Sequence, residues 1–239
     1  MTHDRKLALV AGVLYLATFV TSMPALALKT PFLDSGAHPL WAAWGSVLEV
    51  LLAAACVGTA VVLYPVTRRG SEPLGLAFVA SRTIEAALIL VGVLAVLSLL
   101  SLRNDAVATA TASAALTELH TYAFLLGPAV MSATNALLLG TMLYRTRLVP
   151  RVIPAVGLVG GPLLLVSSAG VMLGAWTQMT AIGTVAALPV AAWEFALGIW
   201  LVAKGFRPEA LAALPSPVLS PTAAASGPAV PELDSVVAS

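Results

Sequence analysis

Six long apolar runs constrain this chain more than any other feature of its sequence. They lie at about residues 7–28, 41–63, 76–101, 119–143, 152–174 and 183–203. A helix rises roughly 1.5 Å per residue, so each run is long enough to cross a hydrocarbon layer about 30 Å thick. None of the runs alternates apolar and polar residues as a membrane β-strand does. The sequence therefore predicts an all-α polytopic membrane protein, a bundle of six transmembrane helices.

The composition excludes the common soluble classes. Apolar residues make up 59% of the 239 residues and charged residues 10%, whereas soluble domains contain about 25% charged residues. A net charge of +1 provides no basic surface for phosphates, so the predicted partner is the lipid bilayer and not nucleic acid. Cys56 is the only cysteine and lies inside an apolar run, where it has no disulfide partner in the chain.

Two terminal regions flank the predicted membrane domain of residues 7–206. Residues 1–6 form a short charged N-terminus, and the run after it, about 22 residues long, exceeds the roughly 7–15 residues of a signal-peptide core. We therefore expect a retained first helix. Residues 207–239 are rich in Pro, Ala and Ser and lack apolar periodicity, which predicts a disordered cytoplasmic tail.

Lysine and arginine are distributed unequally between the two ends of the predicted helices. Lys29 and Arg103 fall on one side. The nine on the other side are Arg5, Lys6, Arg68, Arg69, Arg145, Arg147, Arg151, Lys204 and Arg207. Short loops rich in Lys and Arg remain on the cytoplasmic side of a membrane. The count predicts a multi-pass protein of the plasma membrane with both termini in the cytoplasm.

Five polar side chains inside four of the predicted helices form the candidate site. They are Glu49 in helix 2, Arg82 and Glu85 in helix 3, Asn135 in helix 4 and Glu194 in helix 6. Counting from the helix ends places them in one layer near the middle of the membrane. A charged residue at a helix centre costs about 2.5–3.5 kcal/mol on insertion scales, so these groups require partners or a function.

Three interpretations of this polar layer remain open. Arg82 and Glu85 are three residues apart and share a helix face, so an interior site can hold an anionic ligand at Arg82 while a second carboxylate carries a proton. Alternatively, the ionic groups only tie helices 2, 3, 4 and 6 together, because buried ion pairs do not by themselves indicate function. In the third interpretation, Arg82 snorkels to the cytoplasmic interface.

The histidines are secondary candidates for a metal site. His38 and His120 lie near the outer ends of helices 2 and 4, and Glu118 is close to His120 in sequence. Two imidazoles and a carboxylate can bind zinc, and two imidazoles can ligate a haem. No HExxH or CxxC spacing supports either site. The sequence therefore favours solvated interface histidines and predicts neither a metal nor a cofactor.

Four glycines in helix 5 are candidates for close helix contacts. They are Gly157, Gly161, Gly170 and Gly174. Each pair has the GxxxG spacing, which permits close approach of two helices in a membrane. The contact can lie within the chain or between two copies, so self-association through these glycines is a second expected interaction.

Three stretches together carry a family resemblance. They are Leu63–Arg69 running on to Val79–Ala86, Leu143–Arg151, and Trp193–Phe206. With these motifs in this order, the chain resembles the bacterial multi-pass membrane family known as domain of unknown function 4386, over about Lys6 to Arg207. The resemblance implies a bacterial membrane protein and implies no catalytic residue, because the family has no established activity.

Three functions are compatible with these observations. The first is a module that binds or transports a small molecule or ion at the buried polar layer. The second is a membrane-embedded enzyme that acts on a lipid or a small apolar molecule, with one of the carboxylates as acid or base. The third is a non-catalytic assembly subunit. A continuous cavity that reaches one face favours the first, a narrow pocket open to lipid the second, and a bundle without a cavity the third.

Overall fold

The computed structural model describes residues 2–103 and 109–215. Within these residues the chain forms eight α-helices and one π-helical segment. The helices are α1 (His3–Ser35), α2 (Pro39–Gly70), α3 (Glu72–Leu102), α4 (Thr109–Phe124), α5 (Ser132–Thr146), α6 (Val152–Met172), α7 (Ala181–Ala203) and α8 (Pro208–Ala212). The π segment (Leu125–Met131) joins α4 to α5, so these three elements form one continuous span.

Six helical spans are long and apolar enough to cross a membrane, which confirms the predicted all-α membrane fold. They are α1, α2, α3, the span Ala110–Thr146, α6 and α7. The largest difference from the sequence prediction is the start of the fourth span. Residues 110–118 are helical, although the predicted helix begins at 119. The physical reason is that this stretch is rich in alanine, the residue with the highest helix propensity.

The six spans form a closed ring. Each span packs against the span that follows it in sequence, and α7 also packs against α1. Two glycines allow this closing contact, because a Cβ added to Gly12 would lie only 2.8 Å from the carbonyl oxygen of Gly198. The ring therefore directs side chains from all six spans into one interior.

Large apolar side chains cover the outside of the ring. Examples on five different spans, each more than half exposed, are Val20, Val61, Leu94, Val166 and Val185. Arg82, Glu49 and Lys29 are buried inside. Soluble proteins show the reverse distribution of ionisable groups, whereas a bundle surrounded by lipid directs its few ionisable residues to the interior.

The ring has one end that is rich in arginine, formed by the nine residues that the sequence places on the cytoplasmic side. The N-terminal part of α1 and the C-terminus of α7 meet at this arginine-rich end, where Arg5 Nη1 donates a hydrogen bond to the Leu201 carbonyl oxygen over 2.7 Å. Arg103 follows α3 at the opposite end. Lys29 does not lie in a loop there, because it is 1% exposed and paired inside the ring. The sequence prediction, which places Lys29 with Arg103 at this end, is therefore wrong.

The described chain continues past residue 206, the predicted end of the membrane domain. Leu211 of α8 and Leu214 pack against the hydrophobic core, and Arg69 Nη2 donates to the Leu211 carbonyl oxygen over 3.2 Å. These apolar contacts anchor the segment after α7 on the bundle. Residues 216–239 of the predicted tail lie outside the described residues.

The sequence prediction places four glycines in its fifth helix, which is α6 and the residues after it in the structure. Three of these glycines pack against other elements of the same chain. A Cβ added to Gly157 would lie 2.7 Å from the Trp193 ring of α7. Gly161 and Gly170 are similarly crowded, by α5 and by the α6–α7 connection. Gly174, with a positive φ of 73°, follows the end of α6. The small-residue face thus serves contacts within the bundle, and self-association stays a prediction.

We expect the Gly157→Ala variant to melt about 3–10 °C below the parent, because overpacking a buried contact costs about 1–3 kcal/mol. The matched control is Gly92→Ala in α3, where the nearest neighbour of the added Cβ lies 3.6 Å away, an ordinary contact distance. Thermal unfolding in detergent measures both variants. Equal melting temperatures would contradict the close packing of α6 on α7.

Candidate functional site

Arg82 lies at the centre of the candidate site. It belongs to α3, is 1% exposed, and its Nη1 donates to Oε2 of Glu85 over 2.8 Å. The i, i+3 spacing places these two side chains on one helix face. The Nη2 atom lies 3.5 Å from Oε1 of Glu194 on α7. Arg82 therefore bridges two acids that lie on two different spans.

The fourth span supplies a donor to each of these acids. Asn135 Nδ2 donates to Oε2 of Glu85 over 2.7 Å, and Ser132 Oγ donates to Oε1 of Glu194 over 3.5 Å. Both donors lie on α5, three residues apart and so on one face. Glu85 has two short contacts, whereas both contacts of Glu194 are 3.5 Å long. Glu85 is the more firmly held acid.

Two further spans complete the surroundings of Arg82. The Tyr15 ring of α1 lies 5.1 Å from the Arg82 Cζ, within the range of a cation–π interaction. The Cys56 Sγ of α2 lies 3.8 Å from Nη1. Side chains from α1, α2, α3 and α7 therefore meet at one guanidinium, and the fourth span joins them through its contacts with the two acids. We call these residues the Arg82 cluster: Tyr15, Cys56, Arg82, Glu85, Ser132, Asn135 and Glu194.

Some buried polar atoms of the Arg82 cluster have no hydrogen-bond partner among the described residues. They are Nε and Nη2 of Arg82 and Oδ1 of Asn135. Leaving a buried polar group unpaired costs about 1–3 kcal/mol, and nearly all such groups in native proteins are bonded to protein or to ordered water. The cluster thus has unused capacity to bind water or the polar groups of a ligand.

A cavity of about 190 Å³ lies against the Arg82 cluster. Its polar wall contains Arg82, Glu85 and Glu194, and apart from a few hydroxyl groups the rest of its lining is apolar. Glu194 is the most accessible of the three, with 13% of its side chain exposed against 6% for Glu85 and 2% for Arg82. Since one water takes up about 30 Å³ of liquid, the space accommodates several waters or a small molecule.

A second cavity, of about 320 Å³, adjoins the first on the side away from the arginine-rich end. We call it the vestibule. Residues shared by both linings are Met23, Pro128, Leu164, Ala187 and Ala191. The vestibule lies between α1, α4 with the π segment, α6 and α7, and it reaches Gln178 and Met179 in the α6–α7 connection. The two cavities adjoin at these shared residues, and the vestibule extends from them to the α6–α7 connection at the opposite end of the ring.

The π segment contributes the shared residue Pro128. Proline has no N–H to donate, so it cannot complete an α-helical ladder, and the chain around Pro128 has π geometry. Such π-helical insertions are frequent at functional sites. Here the insertion lies where the fourth span borders both the cavity and the vestibule.

Glu49 does not join the Arg82 cluster, contrary to the predicted single layer. It forms an ion pair with Lys29 of α1, and Lys29 Nζ also lies 2.9 Å from Nε2 of His120 on α4. All three residues are buried, and we call them the Lys29 triad. Glu49 pairs there because Lys29 supplies a countercharge on the adjacent helix. The structure therefore unites four of the five candidate residues in the Arg82 cluster and places Glu49 in a separate cluster.

The two histidines of the metal-site hypothesis have different surroundings. His38 is exposed and stacks on Trp41, with ring centroids 4.1 Å apart. His120 is 7% exposed, so the interpretation of a solvated interface histidine is wrong for it, because its contact with Lys29 holds it inside the ring. In the part of the chain that the structure describes, no group of three or more His, Cys, Asp and Glu residues is arranged to hold a metal ion.

Both clusters lie inside a stretch that matches a known family. Residues 10–205 match the domain of unknown function DUF4386. The chain belongs to this family. The match confirms the resemblance drawn from the sequence motifs, and within the DUF4386 region lie all six spans except for the first turns of α1. No curated protein and no solved structure matches the chain.

Four members of the two clusters in this DUF4386 protein are absent from the sequence prediction of the site. They are Tyr15, Lys29, Cys56 and Ser132. Lys29 carries a signal, because Pro31, Phe32 and Leu33 follow it and extend the apolar character of α1 beyond the predicted end. Tyr15, Cys56 and Ser132 are of residue types that apolar helices commonly contain, and the sequence pattern around them indicates no role in a site.

Proposed function

We propose that this DUF4386 protein is a binding or transport module that holds a small solute in the cavity beside Arg82 and Glu194. The observation that carries the proposal is that this polar cavity adjoins the vestibule and shares five lining residues with it. Ionic groups that only tied helices together, or an assembly subunit, would need no such space. The two volumes together fall within the roughly 300–1,000 Å³ of known small-molecule sites.

The unpaired atoms of the Arg82 cluster support the same proposal. Arg82 Nη2 and Asn135 Oδ1 are a donor and an acceptor without hydrogen-bond partners among the described residues, and they lie next to two carboxylates. Ionisable residues in membrane spans are expensive, and they commonly mark substrate or ion pathways. A polar solute would supply the missing hydrogen bonds, as bound ligands do in other concave sites.

We further infer that the protein lies in the bacterial plasma membrane with its arginine-rich end in the cytoplasm. Of the twelve Lys and Arg residues of the chain, nine belong to that end, and the burial of Lys29 leaves Arg103 at the opposite end. This asymmetry supports the orientation through the positive-inside rule. In this orientation the vestibule faces the outside of the cell, and both ends of the described chain face the cytoplasm.

Thiol labelling tests access to the cavity. In a Cys56→Ala background, we expect Ala191→Cys to react with a small cationic methanethiosulfonate reagent added outside intact cells, because Ala191 lines both the cavity and the vestibule. The matched control is Ala192→Cys, the next residue of α7, which is exposed on the surface of the ring. Thiols react as thiolates, which form in water and not in lipid, so we expect a rate about tenfold higher at position 191.

Two outcomes of this labelling experiment would contradict the proposed function. The first is an equal rate at positions 191 and 192, which would mean that water does not enter the cavity. The second is faster labelling at 192, which would mean that the lining face of α7 is misassigned. Reaction of Ala191→Cys only in inverted membrane vesicles would contradict the inferred orientation.

A further inference from the structure

The walls of the cavity contain more acidic than basic side chains. Three charged side chains line it: one guanidinium, Arg82, and two carboxylates, Glu85 and Glu194. No charged side chain lines the vestibule in the described part of the chain. Since Arg82 and Asn135 hold Glu85 at 2.8 and 2.7 Å, Glu194 is the acid that lacks a close cationic partner when it is ionised. A cationic group on a ligand would supply that partner.

The vestibule has the opposite character. Its lining is mainly apolar, with Leu26, Phe124, Val171 and Leu188 among the large side chains, and its polar members are neutral hydroxyl and amide groups. Burying hydrocarbon against such walls stabilises a complex by about 25 cal/mol per Å² of apolar area. A ligand that extends from Glu194 into the vestibule therefore gains from an apolar body next to its charged group.

We propose that the solute is an amphipathic organic cation, with an ammonium group at Glu194 and a hydrocarbon part in the vestibule. This inference rests on the proposed function, because it needs the cavity to be accessible. Met23, Ala187 and Ala191 line both spaces, so one molecule can occupy them without a break. The ammonium of such a ligand donates hydrogen bonds to Glu194, whose present contacts are both 3.5 Å long.

Thermal unfolding with three matched probes tests the charge preference. Octylamine, octanol and octanoate have the same chain and differ in their head group. In an uncharged detergent, we expect octylamine to raise the melting temperature by about 5 °C or more at a hundredfold excess over its dissociation constant. Octanol should give a smaller shift and octanoate none. Equal shifts for all three would mean that only a hydrocarbon tail binds, as a lipid chain would, and would overturn the inference.

The Glu194→Gln variant tests which acid binds the ammonium. We expect octylamine and octanol to stabilise this variant equally. The control is Glu118→Gln, which removes the same charge from an exposed position on α4 and should keep the full preference for the amine. A Glu194→Gln protein that still prefers octylamine would overturn the assignment. If Glu194→Gln does not fold, Glu194→Asp tests the same point, because the shorter carboxylate should reduce the preference without removing the charge.

Chain length tests the use of the vestibule. Ethylamine fits the cavity and does not reach the vestibule, so we expect it to stabilise the parent less than octylamine at equal concentration. The Ala187→Leu variant, which narrows the junction of the two spaces, should remove this difference. Equal shifts with ethylamine and octylamine in the parent would overturn the amphipathic part of the inference. If Ala191→Cys is labelled but octylamine stabilises the parent no more than octanol does, this inference alone is overturned. If Ala191→Cys is not labelled, the proposed function is overturned.

Discussion

The Arg82→Leu variant is expected to unfold about 10 °C below the parent protein in detergent. The substitution leaves the carboxylates of Glu85 and Glu194 inside the ring without their shared cation. Removing one member of a buried ion pair costs about 3–5 kcal/mol in soluble proteins, and about 2–4 °C corresponds to 1 kcal/mol for a chain of this size. Smaller values are found in membranes, because unfolded helices also find partners there, so the lower part of this range applies.

The control for Arg82→Leu is the same substitution at Arg68. Arg68 is exposed at the arginine-rich end and stacks over Tyr64 at 5.9 Å. Interactions of exposed charged groups contribute about 0–1 kcal/mol, so Arg68→Leu should melt within about 3 °C of the parent. Similar melting temperatures for the two variants would mean that Arg82 extends to the membrane interface and does not hold the buried acids.

The Lys29→Met variant is expected to show the second largest loss of stability. It leaves Glu49 without its countercharge and removes the group that contacts His120. One Glu49 oxygen already has no hydrogen-bond partner among the described residues, so nothing else in this part of the structure compensates. We expect a loss of about 2–4 kcal/mol, measured by thermal unfolding in detergent.

Two comparisons make the Lys29 prediction specific. Lys6→Met, at an exposed position near the start of α1, should leave the melting temperature nearly unchanged. Adding Glu49→Gln to Lys29→Met should recover part of the loss, because the uncompensated charge is then gone. No recovery in the double variant, or a Lys6→Met protein as unstable as Lys29→Met, would contradict the Lys29 triad.

The sequence was sufficient to predict the spans and most of the Arg82 cluster. The spans follow from hydropathy and length alone. Arg82, Glu85, Asn135 and Glu194 were recognisable because polar groups in such runs are costly and so require partners. The proximity of Arg82 and Glu85 follows from their spacing of three residues on one helix.

The partner of Glu49 was not predictable in the same way. The apolar run of the first helix stops at Lys29, so the sequence pattern places this lysine at the membrane edge. In the structure α1 continues to Ser35, and Lys29 turns into the ring toward α2. Which helices are adjacent in a bundle depends on packing between distant parts of the chain, and a count of depth from the helix ends contains no such information.

The cavity was likewise not predictable from the sequence. Its walls combine small residues such as Ala187 and Ala191 with the π segment around Pro128. Several helices of this chain contain proline, including α6 with Pro162 and α7 with Pro189, and these remain α-helical. Whether a proline leads to a π segment depends on how neighbouring helices support the backbone, which the sequence pattern does not show.

Pairwise coupling of Arg82 to the buried acids tests most directly whether the guanidinium joins Glu85 and Glu194 beside the cavity. Double-mutant cycles combine Arg82→Leu with Glu85→Gln, Glu194→Gln and Glu49→Gln in turn, read as unfolding free energies in detergent. The contacts at 2.8 and 3.5 Å predict the largest coupling for Glu85, a smaller one for Glu194, and additivity within about 0.5 kcal/mol for Glu49. Coupling to Glu49 as strong as to Glu85, or additivity with both Glu85 and Glu194, would contradict the site.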